Sequence, residues 1–152
     1  MQGFEERLQH DLVDAMKRRD RAVVDNIRLI KAALENLKAE KGRTVPIEEE
    51  DIIAMLRRLI KQRREAAGQY RSGGAPDRAD RELEEAEFIE GYLPEQMSDE
   101  EIAAKARKVI IDICAAGPSD IGKIMGKLMP EIGGKADGSR VKSIVAALLK
   151  EM

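Results

Sequence analysis

From Phe4 to Leu149, apolar residues recur every three or four positions. That spacing gathers side chains on one face of an α-helix. No stretch alternates apolar and polar residues as a half-buried strand would. The fold class expected is therefore all-α. Only 3% of residues are aromatic and none is Trp, so the core must be built from Leu, Ile, Val, Ala and Met. The 152 residues suit one domain or two small ones and are enough to bury a core.

The apolar stripes divide the chain. Phe4, Leu8, Leu12 and Ala15 mark a first helix, ended by Lys17-Arg18-Arg19, with Asp20 placed to cap the next. Val23, Ile27, Ile30, Leu34 and Leu37 form a narrow second stripe, closed by Gly42, which predicts a helix–helix seam. Pro46 suits the start of a third helix, whose face carries Ile52, Ile53, Leu56, Leu59, Ile60 and Tyr70. After the turn at 72–77, Leu83, Ala86, Ile89 and Leu93 mark a fourth. These four helices make an expected N-terminal subdomain, residues 1–94.

Residues 95–152 read as a three-helix tail subdomain. Ser98 with Glu101 is a capping box, followed by the stripe Ile102, Ala106, Val109, Ile110 and Ile113. Gly117-Pro118 stops that helix, and Ser119 or Asp120 caps the sixth. Asp137 caps the seventh, with Val141, Ile144, Val145, Leu148 and Leu149 on its inner side.

The chemistry these residues offer is limited. Net charge is −2, so any polyanion-binding surface must be local. Cys114 stands alone among isoleucines and is expected to be a buried small hydrophobe. His10, also alone, is expected to face solvent. There is no phosphate-cradling lysine loop, no paired-histidine zinc motif and no nucleophile elbow. No catalytic, cofactor-binding or metal-ligating residue is assigned, and no cofactor is expected. Without a signal-type apolar segment or a long apolar run, the chain is expected to be cytoplasmic, with no membrane as a partner.

Two basic regions stand out. In Arg57–Arg64, the residues Arg57, Lys61 and Arg64 share a helical face, and Arg63 falls in register with the apolar stripe. Phosphate contact is one reading. Pairing with the acids of the next helix (Asp80, Glu82, Glu84, Glu85, Glu87 and Glu90) is the other, and is favoured by the charge symmetry. The second region runs from Ile121 to Lys150, with six Lys/Arg against two acids, a net of +4. There Ile121, Ile124, Met125 and Leu128 form an inner side. Gly122 and Gly126 flank it and are expected to let a neighbouring backbone come close. Lys123 and Lys127 point away. Gly133-Gly134-Lys135-Ala136-Asp137-Gly138 then makes a turn into a capped helix start, where free backbone N–H groups suit an anion. Lys123, Lys127, Lys135, Arg140 and Lys142 are thus the candidate polyanion-binding residues; a solvated helix pair is the competing reading.

The motif Gly122-x-x-Met125, followed by Gly134-Lys135-Ala136-Asp137 and Val141, resembles the tail domain of the B subunit of aspartyl/glutamyl-tRNA amidotransferase. Ala15-Met16-Lys17-Arg18-Arg19-Asp20, Arg28–Ala33, Ile60–Glu65 and Tyr92-Leu93-Pro94-Glu95-Gln96 extend the likeness over almost the whole chain, to stand-alone proteins of the GatB/YqeY family. The resemblance implies a tRNA-associated accessory protein whose basic tail faces tRNA. It also allows a protein-interaction module that docks on an aminoacyl-tRNA synthetase or an amidotransferase subunit through the glycine flank. By association with that complex it carries the label of a carbon–nitrogen ligase with glutamine as amido-N-donor. The residues themselves supply no active site for that chemistry.

Overall fold

The computed structural model describes residues 3–152. It contains the α-helices α1 (Phe4–Lys17), α2 (Arg21–Lys41), α3 (Glu49–Ser72), α4 (Pro76–Glu90), α5 (Asp99–Asp112), α6 (Ile121–Ile132) and α7 (Gly138–Lys150). Two 3-10 turns, Pro118–Asp120 and Gly133–Lys135, precede α6 and α7. No strand occurs among the described residues. The chain divides into two units, one ending at Leu93 and the other spanning Pro94–Met152. The first holds α1 to α4 and the second α5 to α7.

In the first unit the stripes meet in one core that includes Leu8, Leu12, Ile27, Ile30, Leu34, Leu56, Ile60 and Ile89. Local chemistry sets the helix ends. Asp20 accepts a hydrogen bond from the Val23 N–H at 3.3 Å and caps α2. Ahead of it, Arg19 adopts a left-handed φ of 58°. The Asp20 N–H then reaches the Ala15 carbonyl and the Arg19 N–H the Met16 carbonyl, which closes α1 in a Schellman turn.

Pro46 does not begin α3. That helix starts three residues later through a reciprocal box of Glu48 and Asp51. The Asp51 carboxylate accepts the Glu48 N–H at 2.9 Å and also binds Lys41 at the end of α2. These contacts, the lysine foremost, hold the Asp51 carboxyl below its usual pKa. A carboxylate depressed in the folded state stabilises above its unfolded pKa and loses that contribution as pH falls through the folded value. Asp51→Asn is therefore expected to lower the melting temperature at neutral pH and to leave it nearly unchanged in strong acid. Melts at the two pH values check this, and an equal loss at both would remove the charge from the explanation.

The long α3–α4 pair carries its own ion-pair ladder. Arg63, placed within the stripe, lies 3.5 Å from Glu82 and 3.4 Å from Glu85. Arg64 pairs with Glu90 and Arg71 with Asp80, so the acids of α4 engage Arg63 and Arg64 at the end of the basic run, and Arg71 beyond it. Lys61 instead meets Glu65 on its own helix. Burial raises the Glu85 pKa although the charge of Arg63 opposes it. Two glutamates turned toward Arg63 require a rotated helix. Leu83, expected inside with Ala86 and Ile89, is 40% exposed, whereas those two are buried and Ala79 joins them.

The unit ends in an aromatic clasp that the periodicity did not mark. Tyr92 is buried edge-on to Phe4 and Phe88, with ring centroids 6.1 and 5.7 Å away. Its hydroxyl donates to Asp11 at 2.5 Å, and the Arg7 guanidinium lies 4.5 Å above the ring. Arg7 also donates to the Gly91 carbonyl at 3.0 Å. Residues 7 and 11, one helical turn apart, thus hold the chain where it leaves α4. All four aromatic residues of the protein lie in this unit.

The second unit has a separate, aliphatic core of Ile102, Ala106, Val109, Ile124, Leu128, Ile132, Val141, Val145 and Leu149. Ser98 caps α5 by accepting the Glu101 N–H at 3.1 Å. At the other end Cys114 is exposed, not buried. It has a left-handed φ of 55° because α5 closes there in a second Schellman turn. The Ala115 N–H reaches the Ile110 carbonyl and the Cys114 N–H the Ile111 carbonyl. The alternation of Ile110, Ile111 and Ile113 therefore ceases to be helical one residue before the cysteine. Asp120 stands at the start of α6 without capping it; its carboxylate accepts the Ala116 N–H at 2.8 Å instead.

Candidate nucleic-acid interface

The helix α6 is built from one strongly apolar side and one small, charged side. Ile124, Leu128 and Ile132 are buried, and Ile121, Met125 and Met129 are partly buried against the same core. Lys123 and Lys127, one turn apart, are exposed. So are Gly122 and Gly126. A Cβ built on either glycine would meet nothing within 4 Å. The expected close approach of a neighbouring backbone is therefore absent among the described residues, and the glycines pave an open surface beside the lysines. A helix-interior glycine in open space costs stability for no packing gain. Gly126→Ala is accordingly expected to stabilise the tail by roughly 0.5–1 kcal/mol. Gly126→Val should not wedge any contact. A loss of stability in the alanine variant, read from thermal melts, would contradict this placement.

Beyond Ile132, Gly133 turns the chain with φ 60°. The 3-10 turn that follows is fastened to the segment ahead of α5. The Met97 N–H donates to the Lys135 carbonyl at 2.8 Å, and the Gln96 amide donates to the Gly134 carbonyl at 3.2 Å. Ala136 is buried, which leaves the Lys135 side chain exposed at the turn. Asp137 accepts the Ser139 N–H at 3.2 Å and caps α7. Val141 faces the core and Lys142 faces solvent.

Arg140 differs from the four lysines. Its Nε donates to Asp99 at 2.7 Å and its Nη2 to the Met97 carbonyl at 2.6 Å. It ties α7 to the start of α5 through two charge-assisted bonds. Lys123, Lys127, Lys135 and Lys142 have no ion-pair partner among the described residues. The six cations counted from the sequence thus separate into a structural arginine and solvent-facing lysines. Nothing in the sequence spacing distinguishes them, because the partners of Arg140 lie about forty positions away.

Elsewhere, His10 is exposed, with Nδ1 3.6 Å from Asp11. Among the described residues no group of three or more His, Cys, Asp or Glu could hold a metal ion. None of their helices is long and apolar enough to cross a membrane.

The chain is thus a two-unit helical protein whose aromatic-free tail carries exposed lysines on one helix and the turn after it. Residues 5–149 match the model of the Yqey-like protein family, and the chain belongs to that family. Its domain is the one found in stand-alone YqeY proteins and in the tails of the amidotransferase B subunit. The chain is also similar to the altered inheritance of mitochondria protein 41, mitochondrial, of Pyrenophora tritici-repentis (strain Pt-1C-BFP). Identity is 24% over 139 residues, covering 90% of this chain and 75% of that protein.

Proposed function

We propose that this protein is a cytoplasmic, tRNA-associated accessory protein, which holds tRNA through the outer face of α6 and the turn into α7. The observation that carries the reading is the set of unpaired, exposed lysines beside two exposed glycines on α6. Lysines without acidic partners are available to phosphates, and their contacts displace condensed counterions. Glycines leave room for a sugar–phosphate backbone to come near the helix. With no aromatic residue in the tail, base stacking has no platform there, so recognition rests on shape and backbone contact.

The same open glycines would also admit a helix of a synthetase or amidotransferase subunit, and salt separates the two readings. Tight phosphate contact by four lysines gives a log–log salt slope of about −3, whereas apolar helix docking is nearly indifferent to salt. Titration of the full chain with tRNA from 50 to 200 mM salt is the test. Absence of binding at the low-salt end, or binding with a flat slope, overturns the RNA reading.

A further inference from the structure

The first unit contains a groove of about 320 Å³ between α2 and α3. Ala33 and Leu37 from α2, and Met55 and Leu59 from α3, form its floor. On its rim stand Glu40 of α2 and Arg58 of α3. Both are exposed, and neither has an ion-pair partner among the described residues. The Lys41–Asp51 pair joins the helices at one end. Glu40 is adjacent to that end, and Arg58 lies two turns further along α3.

We infer that this groove takes an amphipathic helix of a partner protein. That helix would present apolar side chains to the floor, a base to Glu40 and an acid to Arg58. The floor supports this by its shape. Ala33 and Leu37 are one turn apart, and Leu29, a further turn back on the same stripe, is 45% exposed. The apolar strip therefore runs about 12 Å, enough for anchors at i, i+4 and i+7 of a docked helix. Methionine in the floor adapts to different anchor shapes. The charges support it independently: opposite, unpaired signs on the two rims select a helix with one flank of each sign.

The probe is a synthetic helical peptide of about sixteen residues with Leu at i, i+4 and i+7, bearing Lys on one flank and Glu on the other. Binding to the full chain is followed by the NMR signal of the Met55 methyl group. A saturable shift of that signal is expected. A second peptide with Lys on both flanks should bind the wild type about three-fold more weakly and Arg58→Glu more tightly. Because the comparison uses the same sign on both flanks, reversing the direction of the peptide cannot mimic it. Ala33→Glu, and separately Ala54→Glu at an exposed lining position, should abolish the shift. Two blocking variants guard against one that fails to fold. No shift at millimolar peptide, equal preference for both peptides in wild type and Arg58→Glu, or a shift that survives both blocking variants would overturn the assignment. So would concentration-dependent dimerisation that Ala33→Glu removes, because a second copy would then be the occupant.

Discussion

Leu128→Ala is expected to unfold α5, α6 and α7 while α1 to α4 stay folded. Leu128 is fully buried in the tail core, where Ile102, Val109, Val141 and Val145 also belong. Truncating such a leucine costs about 2–5 kcal/mol, the lost transfer energy plus a cavity. At roughly 0.05–0.15 kcal/mol per residue, a unit of this size has only about 3–9 kcal/mol in total. Loss of that order leaves little or no stable tail. Leu56→Ala, at an equally buried site of the other core, should do the converse. The expectation rests on two cores that share no residue. Residue-resolved amide exchange decides it: protection should vanish from Asp99–Lys150 in the first variant and from Phe4–Glu90 in the second. Equal loss throughout in either variant would mean that the two units unfold as one.

Replacing Lys123, Lys127, Lys135 and Lys142 together by Gln is expected to remove most of the salt dependence of tRNA binding. At the expected slope of about −3, the wild type should lose roughly sixty-fold in affinity between 50 and 200 mM salt. The quadruple variant should lose only a few-fold. Folding should be untouched, because all four side chains are exposed and have no ion-pair partner among the described residues. Arg140→Gln supplies the contrast. Its guanidinium is spent on Asp99 and the Met97 carbonyl, so it should lower the tail's stability by about 1–3 kcal/mol and leave the slope alone. Were the quadruple variant to keep the wild-type slope, the lysines would be a solvated face. Were Arg140→Gln to flatten it instead, the assignment of roles within the basic set would be reversed.

Helical periodicity made the α-helices legible because burial acts on every third or fourth residue. Leu8, Ile27, Leu56, Ile102 and Val145 could be placed inside from spacing alone, and each is buried. The two-part division was also readable from the stripes and the Ser98 cap. What spacing missed depends on partners distant in sequence or on the last turn of a helix. Leu83 points outward because Arg63 of another helix draws Glu82 and Glu85 inward. Cys114 escapes the stripe because a Schellman turn ends α5 just before it. The start of α3 followed the Glu48–Asp51 box, whereas Pro46 offered only a permitted φ.

The site was half legible. Lys123 and Lys127 could be turned away from the core by a helical wheel. That Gly122 and Gly126 face open space could not be read, since a glycine in sequence looks the same beside a neighbour as beside solvent. The commitment of Arg140 was equally hidden, because a long side chain can reach in several directions.

The confinement of every aromatic ring to the first unit has an optical consequence. Tyr70 and Tyr92 are the protein's only tyrosines and it has no tryptophan, so intrinsic fluorescence and near-ultraviolet dichroism view α1 to α4 and are blind to the tail. The tail carries its own handle, the single cysteine Cys114, exposed at the end of α5. A dye attached there watches the second unit while tyrosine emission watches the first. The natural chain therefore permits two-channel observation of its halves without a single engineered substitution.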